Sequence, residues 1–137
     1  MRFANNKLLI SILRTTNPFI SKKSINFQLM NTSENYLEIN RQSWNNRTDS
    51  HLNSEFYDVA NFKKGKSSLN SIELELLGDL KNKTILHLQC HFGQDTISLH
   101  RLGATVAGVD LSDKAIESAV YLAKETNAIA QFICCDI

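Results

Sequence analysis

Several residue types are scarce in this 137-residue sequence, and each scarcity excludes a class of protein. The three cysteines, two of them adjacent, do not form a disulfide framework and suit a reducing compartment. No apolar run approaches the roughly 20 residues that a bilayer-spanning helix needs. A single proline and the lack of any long-period repeat exclude a repeat architecture and a low-complexity chain. The sequence therefore predicts at most one domain, with a cytoplasmic location.

Acidic residues are missing from the first 33 positions, which also lack a regular apolar pattern. We predict that residues 1–33 are a poorly ordered N-terminal extension. Import into an organelle through this basic segment and a true start at Met30 are the alternatives. The rest of the chain has fourteen acidic and ten basic residues, so it offers no clear electrostatic footprint for nucleic acid. The basic residues of the extension are Arg2, Lys7, Arg14, Lys22 and Lys23.

From residue 34 onward the apolar residues become periodic. Those between Tyr36 and Trp44 predict an amphipathic helix of about ten residues, with Ser33 as its N-cap. Residues 47–66 are polar with interspersed aromatic residues, which predicts a long loop. The aromatic side chains of that loop either anchor it to the core or line a pocket.

From residue 71 onward helical segments alternate with short apolar strands. Ser71, Asp95 and Ser112 are predicted to cap three helices, and Gly78 and Gly103 to end the first two. Three strands that alternate with helices indicate a parallel sheet with right-handed crossovers. The strands are predicted at residues 84–89, 105–110 and 131–136, and the apolar stripe of the last helix at Ile116, Ala119, Val120 and Ala123.

The stretch between the first two strands carries the functional signal. An apolar strand ends in the turn Gln89-Cys90-His91-Phe92-Gly93, a helix follows, and the second strand ends in Asp110. This order is typical of a nucleotide-binding α/β unit, whose ligands lie at the carboxyl ends of the strands. Asp110 stands 17 positions after Gly93, near the roughly 20 expected for a carboxylate that binds ribose hydroxyls. We therefore predict that Asp110 binds a ribose; the alternative is a turn residue or helix cap.

Residues 86–116, LHLQCHFGQDTISLHRLGATVAGVDLSDKAI, resemble the class I S-adenosylmethionine-dependent methyltransferases. The first motif of that family is an apolar strand with an acid, followed by Gly-x-Gly-x-Gly, often with Cys after the first glycine. Here His87 stands at the acid, Gln89 and His91 replace two glycines, and Cys90 and Gly93 keep the pattern. The resemblance covers residues 34–137 and implies a partial methyltransferase domain there.

The resemblance also implies a fold and a reaction. The fold is α/β, a Rossmann-like parallel sheet with helices on both faces, incomplete because three of the family's usual seven strands are predicted. The implied cofactor is S-adenosylmethionine, and the implied reaction is methyl transfer to an unidentified acceptor, with a small molecule favoured. The first predicted helix is either a lid over the cofactor or a helix packed on the sheet.

Cofactor-binding residues follow from the resemblance, position by position. The loop residues would lie beside the methionine part, through their side chains or through backbone alone. Asp136 would bind the adenine amino group, or it is a solvated acid. No catalytic residue is assigned, although His91 is a possible general base. The complete set is Gln89, Cys90, His91, Gly93, Asp110, Leu111 and Asp136.

Two rival interpretations and two further expectations complete the analysis. A dinucleotide-binding oxidoreductase would carry Gly-x-Gly-x-x-Gly after the first strand, which is absent. The second rival is a truncated or decayed methyltransferase fragment. With three strands, the chain as it stands is expected to leave its first strand as an open edge, associate with itself and transfer no methyl group. The spacing of His87, Cys90 and His91 lacks the ligands for a metal, so none is predicted. Cys134 and Cys135 are predicted to be small core residues.

Overall fold

The computed structural model describes residues 27–137 of the chain, with side chains described from residue 35 onward. The prediction for residues 1–26 lies outside this range. The helices are α1 (Phe27–Leu52), α2 (Val59–Lys63), α3 (Ser71–Leu77), α4 (Gln94–Arg101) and α5 (Asp113–Glu125), and the strands are β1 (Thr84–Leu88), β2 (Thr105–Asp110) and β3 (Ala130–Cys134).

The strands form one parallel sheet in the order β1, β2, β3. The register pairs Leu88 with Val109 and Asp110 with Cys134. Over the described residues this confirms the predicted fold class, a partial Rossmann-like parallel sheet. Because parallel strands end at one edge of the sheet, the register brings the loop after β1, the Asp110 side chain and the residues after β3 together.

Helix α5 follows the predicted pattern with one exception. Ser112 is its N-cap, and the Ser112 hydroxyl accepts a 3.0 Å hydrogen bond from the backbone N–H of Ala115, as predicted. Val120 was predicted to be buried, but it is 52% exposed. It lies about 100° around the helix from buried Ala119, and Leu122 fills the core instead.

Gly78 ends α3 as predicted, but the N-caps of α3 and α4 differ from the predicted ones. Asn70, not Ser71, caps α3: its side chain accepts from the N–H of Glu73, and the Glu73 carboxylate accepts from the N–H of Asn70. This reciprocal pair explains why Asn70 takes the position. Gly93 in a left-handed conformation is at the N-cap of α4, and Asp95 lies in the first turn, where the helix dipole favours an acid.

Helix α1 is the largest departure from the sequence analysis. It is 26 residues long, begins before Ser33 and ends at Leu52. The predicted ten-residue helix with Ser33 as N-cap is therefore wrong, and α1 and α2 both enter the segment predicted to be a loop. The helix also crosses the predicted boundary between residues 33 and 34. Its described side chains are mostly polar, so its contacts, rather than an apolar stripe, position it.

The three cysteines differ in how deeply they are buried. Cys90 is buried, whereas Cys134 is exposed and Cys135 is half-buried. The prediction of a core position is thus wrong for Cys134, because β3 is an edge strand and residue 134 is its last position. Within the described part of the chain, no helix is long and apolar enough to cross a membrane.

Two clusters of buried residues form the core. The first is Phe62, Phe92, Ile97, Leu122 and Ala123, and the second is Leu69, Leu80, Leu99, Ala104 and Val106.

Candidate functional site

The Asp110 carboxylate joins the ends of two segments at the carboxyl edge of the sheet. Its Oδ2 accepts a 2.8 Å hydrogen bond from the backbone N–H of His91, and its Oδ1 accepts a 2.9 Å bond from the backbone N–H of Ser112. The residue is 9% exposed. Each carboxylate oxygen has about two lone-pair positions, so one on each oxygen is still available to a ligand hydroxyl.

The loop from Gln89 to Gly93 has an unusual backbone. Gln89, His91 and Gly93 have positive φ angles of 54°, 50° and 81°. Non-glycine residues adopt this conformation at a cost, and such strain is concentrated at ligand sites. The loop closes on itself, since the N–H of Gly93 donates to the carbonyl of Cys90 over 2.9 Å. Its shape therefore depends on these turns and on the bond to Asp110.

Gly93 in this loop and Gly108 in β2 lack a side chain where other protein side chains, rather than a ligand, take up the space. A Cβ on Gly93 would lie 2.7 Å from the ring of Phe132, and one on Gly108 would lie 2.8 Å from Cys90 Sγ. The Cys90 side chain is thus turned into the sheet, and burial raises the pKa of its thiol to about 12. Cys90 can face a cofactor only through its backbone.

The His91 side chain meets a residue that the sequence analysis did not single out. Its Nε2 lies 2.7 Å from Nδ1 of His51, near the end of α1. Burial, and then the neighbouring His51, lower the pKa of His91 to about 4. Burial, and then Arg47, also lower the pKa of His51 below its ordinary value. Both imidazoles are therefore neutral at neutral pH.

Aromatic rings surround the histidine pair. Tyr57 lies 5.0 Å from His51 and 5.9 Å from His91 between ring centroids, and Trp44 lies 6.0 Å from His91. Buried Gln94 helps to hold Tyr57 in place, because its Nε2 donates to the Tyr57 carbonyl over 2.9 Å. Burial is the main reason why the pKa of Tyr57 is raised. We call Trp44, His51, Tyr57, His91 and Phe92 the aromatic cluster.

Polar contacts bind α1 to the start of α5. The Ser112 hydroxyl donates to Asn45 Oδ1 over 2.6 Å, and Asn45 Nδ2 donates to Asp113 Oδ1 over 2.7 Å. Arg41 also donates to Asp113 Oδ1, over 2.9 Å, and Lys114 pairs with Asp49. Together with the His51–His91 contact, these bonds hold α1 beside the loop that follows β1. The structure thus places α1 on α5 and against the predicted cofactor loop.

The remaining predicted site residues lie on the same edge of the sheet. Leu111 is half-buried, and its carbonyl accepts from Cys134 Sγ over 3.5 Å. Asp136 is exposed, and its Oδ1 accepts from the N–H of Ile137 over 3.0 Å. Gln89 is exposed at the start of the loop. Their roles toward a cofactor stay predictions.

His87 does not belong to this group. Its Nδ1 lies 2.8 Å from the Thr96 hydroxyl, so the ring links β1 to α4. Burial lowers the pKa of His87, which is neutral at neutral pH. His87 and His91 have different partners, and no group of three potential metal-binding side chains occurs among the described residues.

One open cleft lies away from the loop. Its volume is about 420 Å³, and it runs between the end of α1, α2 and α5. Lys63 lies at this cleft, with its Nζ 5.5 Å from the centroid of the Tyr121 ring and 3.7 Å from Glu125. No predicted site residue lines it.

His51, Tyr57, Asn45 and Gln94 are the site residues that the sequence analysis missed. Only Tyr57 carried a signal, as an aromatic residue in the polar segment 47–66. The contact between His51 and His91 spans 40 positions, and no local pattern marks such a pair.

Comparison with known proteins gives structural matches only. No family model and no curated protein matches the chain. One similar solved structure comes from a study of the conversion of a disulfide bond into a thioacetal group during echinomycin biosynthesis. It is 30% identical with a TM-score of 0.45, over 58% of this chain and 32% of the other.

Two further similar structures are named as methyltransferases. Magnesium protoporphyrin IX methyltransferase from Synechocystis PCC 6803, solved with bound SAH, is 22% identical with a TM-score of 0.41, over 64% of this chain and 49% of that one. A TehB-like SAM-dependent methyltransferase from Corynebacterium glutamicum is 20% identical with a TM-score of 0.39, over 75% of this chain and 46% of that one. The chain thus spans between a third and a half of the length of these proteins.

Proposed function

We propose that this chain binds S-adenosylmethionine and forms the cofactor-binding part of a class I methyltransferase whose acceptor is a small molecule. The observation that carries the proposal is the Asp110 carboxylate at the end of β2, held between the loop after β1 and the start of α5. The resemblance of residues 86–116 to the family supports it.

The donor set at this edge fits the cofactor. Asp110 retains acceptor capacity for two ribose hydroxyls, which is the chemistry that a ribose requires. Half-buried Leu111 offers an apolar contact next to it, and exposed Asp136 offers a second carboxylate for an exocyclic amino group. The loop after β1 contributes backbone and the exposed Gln89 amide. A loop without the glycine fingerprint suits an amino-acid moiety better than a pyrophosphate.

The chain's own residues act by binding and orientation. When bound, S-adenosylmethionine would supply an electrophilic methyl group. Asp110 would hold the ribose and, through the N–H of His91, fix the loop that faces the reacting end. Helix α1, bound to α5 by Asn45 and Arg41, would limit the access of water from one side. Catalysis of this kind rests mainly on holding two reactants in line.

A matched substitution tests the ribose assignment. Asp110→Asn should weaken binding of S-adenosylhomocysteine by roughly 1.5–3 kcal/mol, or about ten- to a hundred-fold, because charge-assisted bonds to the ribose are lost. The control is Asp79→Asn, since Asp79 is exposed at the opposite end of β1. The 2′,3′-dideoxy analogue of S-adenosylhomocysteine distinguishes a direct contact between Asp110 and the ribose from an effect of Asp110 on the shape of the loop. The wild type should bind the hydroxylated ligand more tightly than the analogue, and Asp110→Asn should lose that preference. An unchanged preference in Asp110→Asn would refute the ribose role.

A further inference from the structure

The contact between His51 and His91 has a consequence for proton transfer. Two neutral imidazoles carry two N–H protons among four nitrogens. At 2.7 Å, one proton lies between His51 Nδ1 and His91 Nε2. The second proton must then reside on one of the two outer nitrogens, His51 Nε2 or His91 Nδ1. The other outer nitrogen is a free proton acceptor.

Both outer nitrogens are accessible in the described structure. No described residue hydrogen-bonds to either of them. Every buried side-chain nitrogen or oxygen among the described residues has a hydrogen-bond partner. The two outer nitrogens have none, so they are not fully buried. A proton accepted at one outer nitrogen shifts the shared proton, and the proton on the far outer nitrogen is then released.

We propose that the His51–His91 pair is a proton relay for the acceptor, which therefore belongs to the class of nucleophiles that carry a removable proton, such as thiols and hydroxyls. This inference rests on the proposed function. In the transfer, the acceptor atom forms a bond to the methyl carbon while the sulfur–methyl bond breaks and its electron pair stays on sulfur. The proton of the acceptor passes to the free outer nitrogen, and the far outer nitrogen gives a proton to water.

The surroundings keep the pair neutral and ready to accept a proton. Arg47 on α1 opposes a positive charge on His51, whereas Asp110 on β2 favours one on His91. Tyr57, from the segment after α1, faces both rings. The lowered basicity of the pair means that it passes a proton on rather than keeps it. A thioether, a tertiary amine or a halide has no proton to lose and would gain nothing from the relay.

Nitrogen-15 spectra of the histidine side chains of the whole chain test the relay without turnover. At pH 7 the wild type should show one outer nitrogen without a proton, or an average over the two outer nitrogens, and His51 should titrate below its ordinary pH range. In His51→Phe, His91 should titrate at a higher pH, because the neighbouring His51 lowers the pKa of His91 in the wild type. In the control Gln42→Ala, on the exposed part of α1, His91 should titrate as in the wild type. Protons on both outer nitrogens at pH 7, or a His91 titration that is unchanged in His51→Phe, would overturn the proposal.

A pair of acceptors tests the substrate class. Transfer of labelled methyl by the methyltransferase of which this chain forms the cofactor-binding part is measured to 2-mercaptoethanol, whose thiol carries a proton at pH 7, and to iodide, which has none. His51→Phe should lower the ratio of thiol transfer to iodide transfer by about a hundred-fold, because only the thiol has a proton to lose. An unchanged ratio, or no thiol transfer by the wild type, would refute the relay. Failure to bind S-adenosylmethionine in calorimetry would instead refute the proposed function.

Discussion

The backbone N–H of His91 donates a 2.8 Å hydrogen bond to Oδ2 of Asp110. The bond connects the loop after β1 to the end of β2, two segments that are 19 positions apart in the chain. Because the same carboxylate also accepts from Ser112, one side chain sets the positions of the loop and of the start of α5. A ligand that binds Asp110 would therefore contact a site whose parts are already aligned.

Gly93 should tolerate no side chain, because the ring of Phe132 occupies the space. A Cβ there would lie 2.7 Å from Phe132 and 3.0 Å from Ala119, in a backbone with φ of 81°. We expect Gly93→Ala to lower the free energy of unfolding by about 2–4 kcal/mol, from overpacking and left-handed strain together. Denaturant unfolding measures this loss.

Gly65 provides the matched control for that substitution. Its φ is 108°, and no atom lies within 4 Å of its Cβ position. Gly65→Ala should therefore cost only the backbone strain, about 1–2 kcal/mol. Equal losses in the two variants would show that Phe132 does not fill the space above Gly93.

The free energy of unfolding should fall as the pH drops from about 6.5 to about 4, because over this range His91 is neutral in the folded chain and protonated in the unfolded chain. Its folded pKa of about 4 lies below the ordinary 6.5. Between these values the unfolded chain binds a proton that the folded chain lacks, so the stability present above pH 6.5 is progressively lost and levels off below pH 4. With screening by solvent, we expect about 2–3 kcal/mol from this residue.

Unfolding curves from pH 7 to pH 4 measure this effect in the wild type and in His91→Asn. Asparagine tolerates the left-handed backbone at this position. The variant should lose less stability on acidification than the wild type loses. If His91→Asn has the same slope as the wild type, His91 is not buried as described.

Cys90 and Cys134 should differ in reactivity. Burial raises the pKa of the Cys90 thiol to about 12, whereas Cys134 is exposed. Because the thiolate is the nucleophile, iodoacetamide at pH 8 should alkylate Cys134 and leave Cys90 unmodified in the native chain. Peptide mass spectrometry resolves the two sites. Modification of Cys90 at the rate of Cys134 would mean that the loop after β1 opens readily.

The sheet could be predicted from the sequence because its signals are local. The strand ending at Asp110 was predicted with its observed bounds, and the Ser112 cap follows from the residue type next to a helix. The Asn70 cap was also available, since Glu73 stands three positions later and completes a capping box. The sequence analysis chose Ser71 instead, because serine and asparagine are both favoured N-cap residues and the two stand next to each other.

Helix α1 and the aromatic cluster could not be predicted in the same way. The described hydrogen bonds that attach α1 to the rest of the protein reach residues far along the chain, such as Asn45 with Ser112, 67 positions away. A helix of this kind has no strong apolar stripe, so periodicity underestimates its length. His51 becomes a site residue only because the fold brings it to His91.

Calorimetric titration of the chain with S-adenosylmethionine and, separately, with NAD tests the central claim most directly. Asp110 could accept ribose hydroxyls from either ligand, but the loop from Gln89 to Gly93 lacks the glycine fingerprint for a pyrophosphate. We predict measurable binding of S-adenosylmethionine, and binding of NAD that is at least about ten-fold weaker. Tighter binding of NAD would contradict the proposal that this chain is the cofactor-binding part of a methyltransferase.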